Sequence, residues 1–219
     1  MEDQEAADAI INNDINCLIM FIEENRDRHQ FIDFLLSFAA NEGQVTCAYV
    51  LLKAGADINN TYHTDYTPLM LACKRGHIDM IDYLIQNGAD INKKNFAGRS
   101  ALIDACDYDM IDVVNRLLET GKCDVNITDR VGNNALSFVR GPQILDTLVV
   151  HGVDLNTQNK WGQTPLMHLI NIGDIILIEK LLSYGADPNI ADNNGRTPLG
   201  LTNRRREDII DLLLDYRAK

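Results

Sequence analysis

The chain has 219 residues, of which 46% are hydrophobic and 6% aromatic, and its formal net charge is −12. This composition allows a packed core, but so acidic a chain is poorly suited to general nucleic-acid binding or to adsorption on anionic membranes, because both rely on Lys and Arg. No apolar run reaches the length of a membrane-spanning helix. The N-terminal segment, residues 1–5, is acidic where a secretion signal is basic, so we expect a cytoplasmic protein, with a nuclear location also open.

Two short motifs recur along the chain in phase. The first is Gly-Ala-Asp-x-Asn and its variants, whose aspartates stand at positions 57, 90, 124, 154 and 187, so that the intervals are 33, 34, 30 and 33 residues. The second is Thr-Pro-Leu and its variants, which begin at positions 67, 100, 134, 164 and 197. We therefore expect repeats at 30–60, 61–93, 94–127, 128–157 and 158–190, between terminal repeats at 2–28 and 191–219.

The first two repeats, at the N-terminal end, depart from the two motifs. The first has helically spaced apolar residues but no Gly-Ala-Asp turn, which indicates a cap with a polar outer face. The second lacks Thr-Pro-Leu, so its first helix is expected to begin early, near Gln30. Residues 1–60 hold eleven acids and three bases. This acidic end is either a solubilising cap or a docking site for a basic partner, and both interpretations stay open.

The third and fourth repeats each predict two short helices. Thr67 can cap the first helix of the third repeat through its hydroxyl, and Pro68 suits the first helical position because its missing N–H would have no partner there. Gly88 can take the left-handed backbone conformation where the second helix ends. In the fourth repeat Asp109 replaces the glycine between the helices.

The fifth repeat departs most from the pattern. Aligned on the following turn, it lacks three residues between Leu136 and Leu148. Its first helix is therefore expected to be little more than residues 135–139, and Pro142 is expected to start the second. The shortening either opens a binding notch beside Arg140 or reflects drift in a tolerant repeat. If the notch binds a partner, Arg140→Glu should weaken that binding without lowering the melting temperature.

A helix, a turn, a second helix and a β-turn in about 33 residues make this sequence resemble the ankyrin repeat family. The resemblance implies an all-α solenoid of stacked helix-turn-helix repeats with β-hairpin tips, folded as a single domain over residues 1–219. It also implies that partners bind on the concave face formed by the tips and the first helices. The histidine that the family often places after Thr-Pro-Leu is missing, so we expect one set of polar ties between repeats to be absent.

The candidate contacts with a partner are side chains that the repeat leaves free to vary. Aromatic and arginine side chains on an exposed surface are the usual anchors of interfaces. The candidates are Tyr62, His63, Tyr66, Lys74, Arg75, Phe96, Arg99, Asp107, Tyr108, Arg130, Lys160 and Trp161. Trp161, the only tryptophan, is either an anchor or lies flat over a neighbouring tip. Because the candidates include several bases, a mixed or acidic partner is as plausible as a basic one.

The sequence offers no catalytic constellation. The five histidines lack metal-ligand spacing, the glycines are explained by turns, and the five cysteines form no CxxC pair, so we expect no metal, no cofactor and no disulfide framework. The predicted function is non-catalytic binding of another protein or peptide by a monomer. The alternatives are an inhibitor or regulatory subunit that blocks a partner enzyme, and a chaperone-like holder of a basic client.

Overall fold

The computed structural model describes residues 2–25, 27–61, 65–202 and 206–218. These described residues form helices and turns and contain no strand, which confirms the all-α fold of paired helices that the repeats predict. The tips between repeats are tight turns. Contacts within the chain divide it into two compact units, Met1–Phe96 (unit 1) and Ala97–Lys219 (unit 2).

The described residues of unit 1 form three helix pairs. They are α1 (Glu2–Ile11) with α2 (Ile15–Glu24), α3 (His29–Glu42) with α4 (Val45–Lys53), and α5 (Pro68–Arg75) with α6 (Ile78–Gln86). As expected, α3 begins early, one residue before Gln30. The inward faces of these helices carry leucines that are fully buried, such as Leu18, Leu35, Leu51 and Leu84. Burying side chains of this size is the main source of stability in so thin a layer of helices.

Local sequence explains where the helices of unit 1 begin and end. The Thr67 hydroxyl accepts a hydrogen bond from the Met70 N–H at 3.2 Å, and Pro68 occupies the first helical position, which confirms both predictions. Gly76 ends α5 with φ of +73°, and Asn13 takes φ of +53° between α1 and α2. Asparagine is among the few residues that adopt this left-handed conformation readily, so Asn13 replaces glycine there.

Unit 2 repeats the arrangement with four pairs among its described residues. They are α7 (Ala101–Asp107) with α8 (Ile111–Glu119), a 3-10 helix η1 (Ala135–Phe138) with α9 (Pro142–Val150), α10 (Pro165–Ile172) with α11 (Ile175–Ser183), and α12 (Pro198–Leu201) with α13 (Glu207–Asp215). The four-residue η1 and the start of α9 at Pro142 confirm the shortened fifth repeat. Asp109 replaces glycine between α7 and α8 with φ of +55°. Arg204 and Arg205 lie outside the described residues.

The Gly-Ala-Asp-x-Asn motif forms the turns and also ties successive repeats together. Each aspartate carboxylate accepts the backbone N–H of the asparagine two residues later, at 2.8–2.9 Å, at positions 57, 90, 124, 154 and 187. Three asparagine side chains accept the N–H of the aspartate in the next repeat. They are Asn59 to Asp90 at 2.8 Å, Asn126 to Asp154 at 2.7 Å, and Asn156 to Asp187 at 2.9 Å. Polar ties between repeats therefore exist although the histidines after Thr-Pro-Leu are missing.

Candidate protein-binding surface

Three tips of unit 2 are held in shape by one side chain each. Asp129, Asn159 and Asp192 occupy the same place in successive tips. Each side-chain oxygen accepts the backbone N–H groups of the residues two and four positions further on, at 2.9–3.0 Å. Because these bonds satisfy backbone donors inside the turn, the backbone of each tip has a defined conformation before any partner binds.

The tips of unit 2 are also bonded to one another through the backbone. An N–H group at the start of each tip donates to a carbonyl of the preceding tip. The bonds run from Arg130 to Ala97 at 3.1 Å, from Lys160 to Val131 at 2.8 Å, and from Asn193 to Trp161 at 2.9 Å. We call residues 97–98, 130–132, 160–162 and 193–195 the tip row. Backbone hydrogen bonds therefore connect the successive tips of this row along unit 2.

The tip row presents three large side chains to solvent. Trp161 is 56% exposed, so more than half of its surface is open to solvent. Arg130 and Lys160 are exposed, and neither side chain makes a hydrogen bond or ion pair with another residue in the described part of the chain. The aliphatic stem of Arg130 packs over Gly98. These three candidates therefore occupy adjacent tips and are open to a partner.

Arg99 and Asp107 are joined to each other instead. Arg99 donates to Asp107 at 2.7 Å and to Asp104 at 2.5 Å, and its guanidinium lies 4.6 Å from the centre of the Phe138 ring. The side chains of Arg99 and Asp107 are 21% and 22% exposed. Their contacts stabilise unit 2, and their role as direct contacts with a partner stays a prediction. Tyr108, which follows α7, is 56% exposed.

The Arg140 side chain, beside the shortened fifth repeat, is bonded to the end of α7 although it is 66% exposed. Its Nε donates to the backbone carbonyl of Asp107 and its Nη2 to the carboxylate of Asp107, both at 2.6 Å. The carbonyl is at the last residue of α7, where no helical partner is available. Glutamate at position 140 would face the Asp107 carboxylate, so we expect Arg140→Glu to lower the melting temperature. This expectation differs from the unchanged melting temperature predicted for a binding notch, and thermal unfolding of Arg140→Glu distinguishes the two.

The candidates in unit 1 lie in two places. Tyr66 sits beneath Lys74, whose Nζ is 5.1 Å from the ring centre, and Arg75 donates to the Asn41 side chain at 3.0 Å. The Phe96 ring is 70% exposed while its backbone N–H is held by Asp65 at 2.6 Å. Tyr62 and His63 lie outside the described residues. Phe96 is thus an exposed aromatic candidate in this unit.

A histidine that sequence reasoning did not select lies beneath the tip row. His168 Nε2 is 3.3 Å from the side-chain nitrogen of Asn159, and that nitrogen also donates to the Asn133 side chain at 2.9 Å. In this arrangement neutral His168 accepts a hydrogen bond from Asn159. Burial lowers the pKa of His168, and the nearby Asp129 charge opposes this shift without reversing it. No motif in the sequence indicates this contact, because the two residues meet only once the tip is folded.

His168 should make the stability of the protein depend on pH. Since its pKa in the folded chain lies below the ordinary value of 6.5, its contribution is complete above that pH and is lost as the pH falls below it. We expect wild type to lose more unfolding free energy than His168→Gln between about pH 7.5 and about pH 5.5. Urea denaturation of both proteins measures the difference, and the other histidines cancel because both proteins contain them. Equal losses would contradict this assignment.

The described residues include neither a group of three or more His, Cys, Asp or Glu side chains placed to hold a metal ion, nor a helix long and apolar enough to cross a membrane. Residues 36–129 and 134–219 match the family model for ankyrin repeats. The putative ankyrin repeat protein YahD of Escherichia coli (strain K12) is 31% identical over 189 residues, which cover 82% of this chain and 77% of that protein.

Other relatives match over shorter stretches. A putative ankyrin repeat protein of Acanthamoeba polyphaga mimivirus is 34% identical over 70 residues, which are 32% of this chain and only 10% of that protein. The crystal structure of the ankyrin repeat domain of Bcl-3, described as a unique member of the IkappaB protein family, superposes with a TM-score of 0.82. It covers 96% of this chain and 97% of that one at 22% identity, which is a likeness of fold. The chain belongs to the ankyrin repeat family.

Proposed function

We propose that this protein is a non-catalytic binding module that recognises another protein or peptide through its tips and first helices. The observation that carries the proposal is that Trp161 combines a hydrogen-bonded backbone with an exposed side chain. Its backbone N–H is bonded to Asn159 and its carbonyl to Asn193, yet its ring is 56% exposed. A large aromatic side chain on a fixed backbone loses little conformational freedom on binding, which favours affinity.

The family supports the same function. Ankyrin repeat proteins typically act by binding other proteins, and the two units here present exposed aromatic rings at their tips, namely Phe96 in unit 1 and Trp161 in unit 2. The aspartates and asparagines of the repeats are already engaged in turns, so the specificity of the protein depends on the side chains between them. We further propose that it works as a monomer in the cytoplasm or nucleus and does not bind nucleic acid. Its net charge of −12 supports the last point.

Site-specific photo-cross-linking in the source cell tests the proposal. A photoreactive phenylalanine analogue is placed at position 161 in the tip row or at position 150 in α9, where Val150 is 82% exposed. We expect a discrete protein adduct from position 161 and none from position 150, because only the tip contacts a partner. Circular dichroism checks that both variants are folded.

Two other results contradict the proposal in different ways. Adducts from position 150 alone would show that a partner binds the second helices, so the choice of surface would be wrong. If the photoreactive residue is placed at position 96 in unit 1 and at position 161 in unit 2 and neither gives an adduct, the binding function itself is contradicted.

A further inference from the structure

The tips of unit 2 carry open positive charge although the whole chain is acidic. Arg130 and Lys160 stand on adjacent tips, and both side chains are exposed and make no ion pair with another described residue. Arg99, by contrast, is neutralised by Asp104 and Asp107. The unpaired positive charge of the tip row therefore comes from Arg130 on one tip and Lys160 on the next.

The acidic side chains on the same tips form no ion pair with Arg130 or Lys160, because their oxygens already accept hydrogen bonds within the turns and, for Asp192, from Arg196. Asp129 keeps its negative charge. One oxygen of Asp129 accepts two backbone N–H groups and the other accepts the Asn133 amide at 3.1 Å. Asp192 has a side chain that is 0% exposed and is paired with Arg196 at 2.7 Å. The tip between them uses the neutral Asn159 for the same task. Asparagine at this position leaves Lys160 without a carboxylate on its own tip.

An apolar surface lies beside the two cations. Trp161 follows Lys160 on the same tip, and its exposed ring offers a flat contact that a partner side chain can cover. Tip-to-tip backbone bonds fix the order of these groups along unit 2, with Arg130 on one tip and Lys160 and Trp161 on the next. A ligand that follows the row meets a cation on one tip and then a second cation and an aromatic ring on the next.

We propose that the tip row of unit 2 docks an extended acidic segment of a partner protein. Carboxylates of Asp and Glu in that segment pair with Arg130 and Lys160, and an apolar side chain beside them covers Trp161. This inference rests on the proposed binding function and specifies the chemistry of its partner. Exposed charge pairs of this kind act mainly by speeding association and selecting the partner, and salt screens them.

Synthetic peptides test the inference with the purified full chain. Three peptides share a central leucine and differ only in the flanking residues, which are Asp and Glu, Gln, or Lys. Binding is measured by the anisotropy of a label on the peptide and by the emission of Trp161, the only tryptophan in the chain. We expect the acidic peptide to bind most tightly, to shift the tryptophan emission, and to bind more weakly as salt is raised.

Charge reversal locates the site. Arg130→Glu with Lys160→Glu should weaken binding of the acidic peptide by about tenfold or more, because two attractions become repulsions. The matched control, Arg116→Glu with Lys122→Glu, makes the same change in net charge in α8 and the loop that follows it. We expect the control to change the affinity less than about twofold. Circular dichroism of both double variants confirms that they are folded.

Several outcomes would overturn the inference. Equal binding of the neutral or basic peptide would remove the preference for acid, and equal weakening by the two double variants would mean that net charge alone is responsible. Tighter binding of single-stranded DNA than of the acidic peptide would assign the surface to nucleic acid. If the acidic peptide does not bind but position 161 still cross-links a partner, the inference is wrong and the proposed function stands. If the peptide does not bind and no tip cross-links a partner, the inference and the proposed function are both wrong.

Discussion

Gly162→Ala is expected to lower the free energy of unfolding by about 2–4 kcal/mol, whereas Gly195→Ala is expected to cost about 1–2 kcal/mol. The two glycines hold the same place in successive tips and have nearly the same backbone, with φ of +74° and +76°. A methyl group at position 162 would lie 2.7 Å from the backbone nitrogen of Asn193 and 2.5 Å from its side-chain oxygen. At position 195 it would meet nothing within 4 Å.

The pair separates two costs that usually occur together. Both variants place alanine in a left-handed conformation, so that cost is shared. Only Gly162→Ala also pushes away the next tip, which is held by the Asn193 N–H bond to Trp161 and by the Asn193 amide bond to Lys160 at 2.9 Å. The difference between the variants therefore measures the contact between tips. Urea denaturation followed by circular dichroism provides both values, and equal losses would show that the tips do not support one another.

Gly132→Ala is expected to lower the free energy of unfolding by an intermediate amount. A methyl group there would lie 3.2 Å from the Cα of Asn159, a close contact that a small shift of the tip can relieve. We expect its loss of stability to fall between those of Gly162→Ala and Gly195→Ala. A graded series would indicate that each tip is positioned by the glycine of the one before it.

Repetition explains why most of the fold could be predicted from the sequence. Each repeat signals its own helices, caps and turns, so the irregular ones could be located by comparison with the regular ones. The sequence correctly predicts Asp109 where other repeats have glycine, and Asp109 adopts positive φ. The loss of residues in the fifth repeat was likewise correctly linked to a short first helix, which is the four-residue η1.

The contacts of long side chains could not be predicted in the same way. Arg140 and Asp107 are 33 residues apart, and their meeting depends on how the chain leaves η1. The missing residues of the fifth repeat indicate an irregularity beside Arg140, but they do not indicate its bonds to Asp107. The contact between His168 and Asn159 depends in the same way on the folded tip. Candidate binding residues are therefore only partly readable from sequence, because a repeat pattern fixes the backbone position and not the direction of each side chain.

Asp107→Ala is expected to lower the free energy of unfolding by about 2 kcal/mol, since both carboxylate oxygens are bonded to arginines in a partly buried site. One oxygen is 2.6 Å from Arg140 and the other is 2.7 Å from Arg99. Removing the carboxylate leaves the Arg99 guanidinium, 21% exposed, with less compensation. The control is Glu119→Ala, whose partner Arg116 is 3.8 Å away in an exposed pair and whose loss should cost less than about 0.5 kcal/mol.

The effect of Asp107→Ala should also depend on pH in a defined direction. Burial alone would raise the pKa of Asp107, but hydrogen bonds from Arg140 and Arg99 outweigh it and lower the pKa below the ordinary 3.8. A carboxylate with a lowered pKa stabilises the folded chain fully above its ordinary value, and this stabilisation is lost as the pH falls below it. The difference in unfolding free energy between wild type and Asp107→Ala should therefore be constant near neutral pH and shrink below about pH 4. A difference that stays unchanged in acid would mean that the carboxylate charge does not stabilise unit 2.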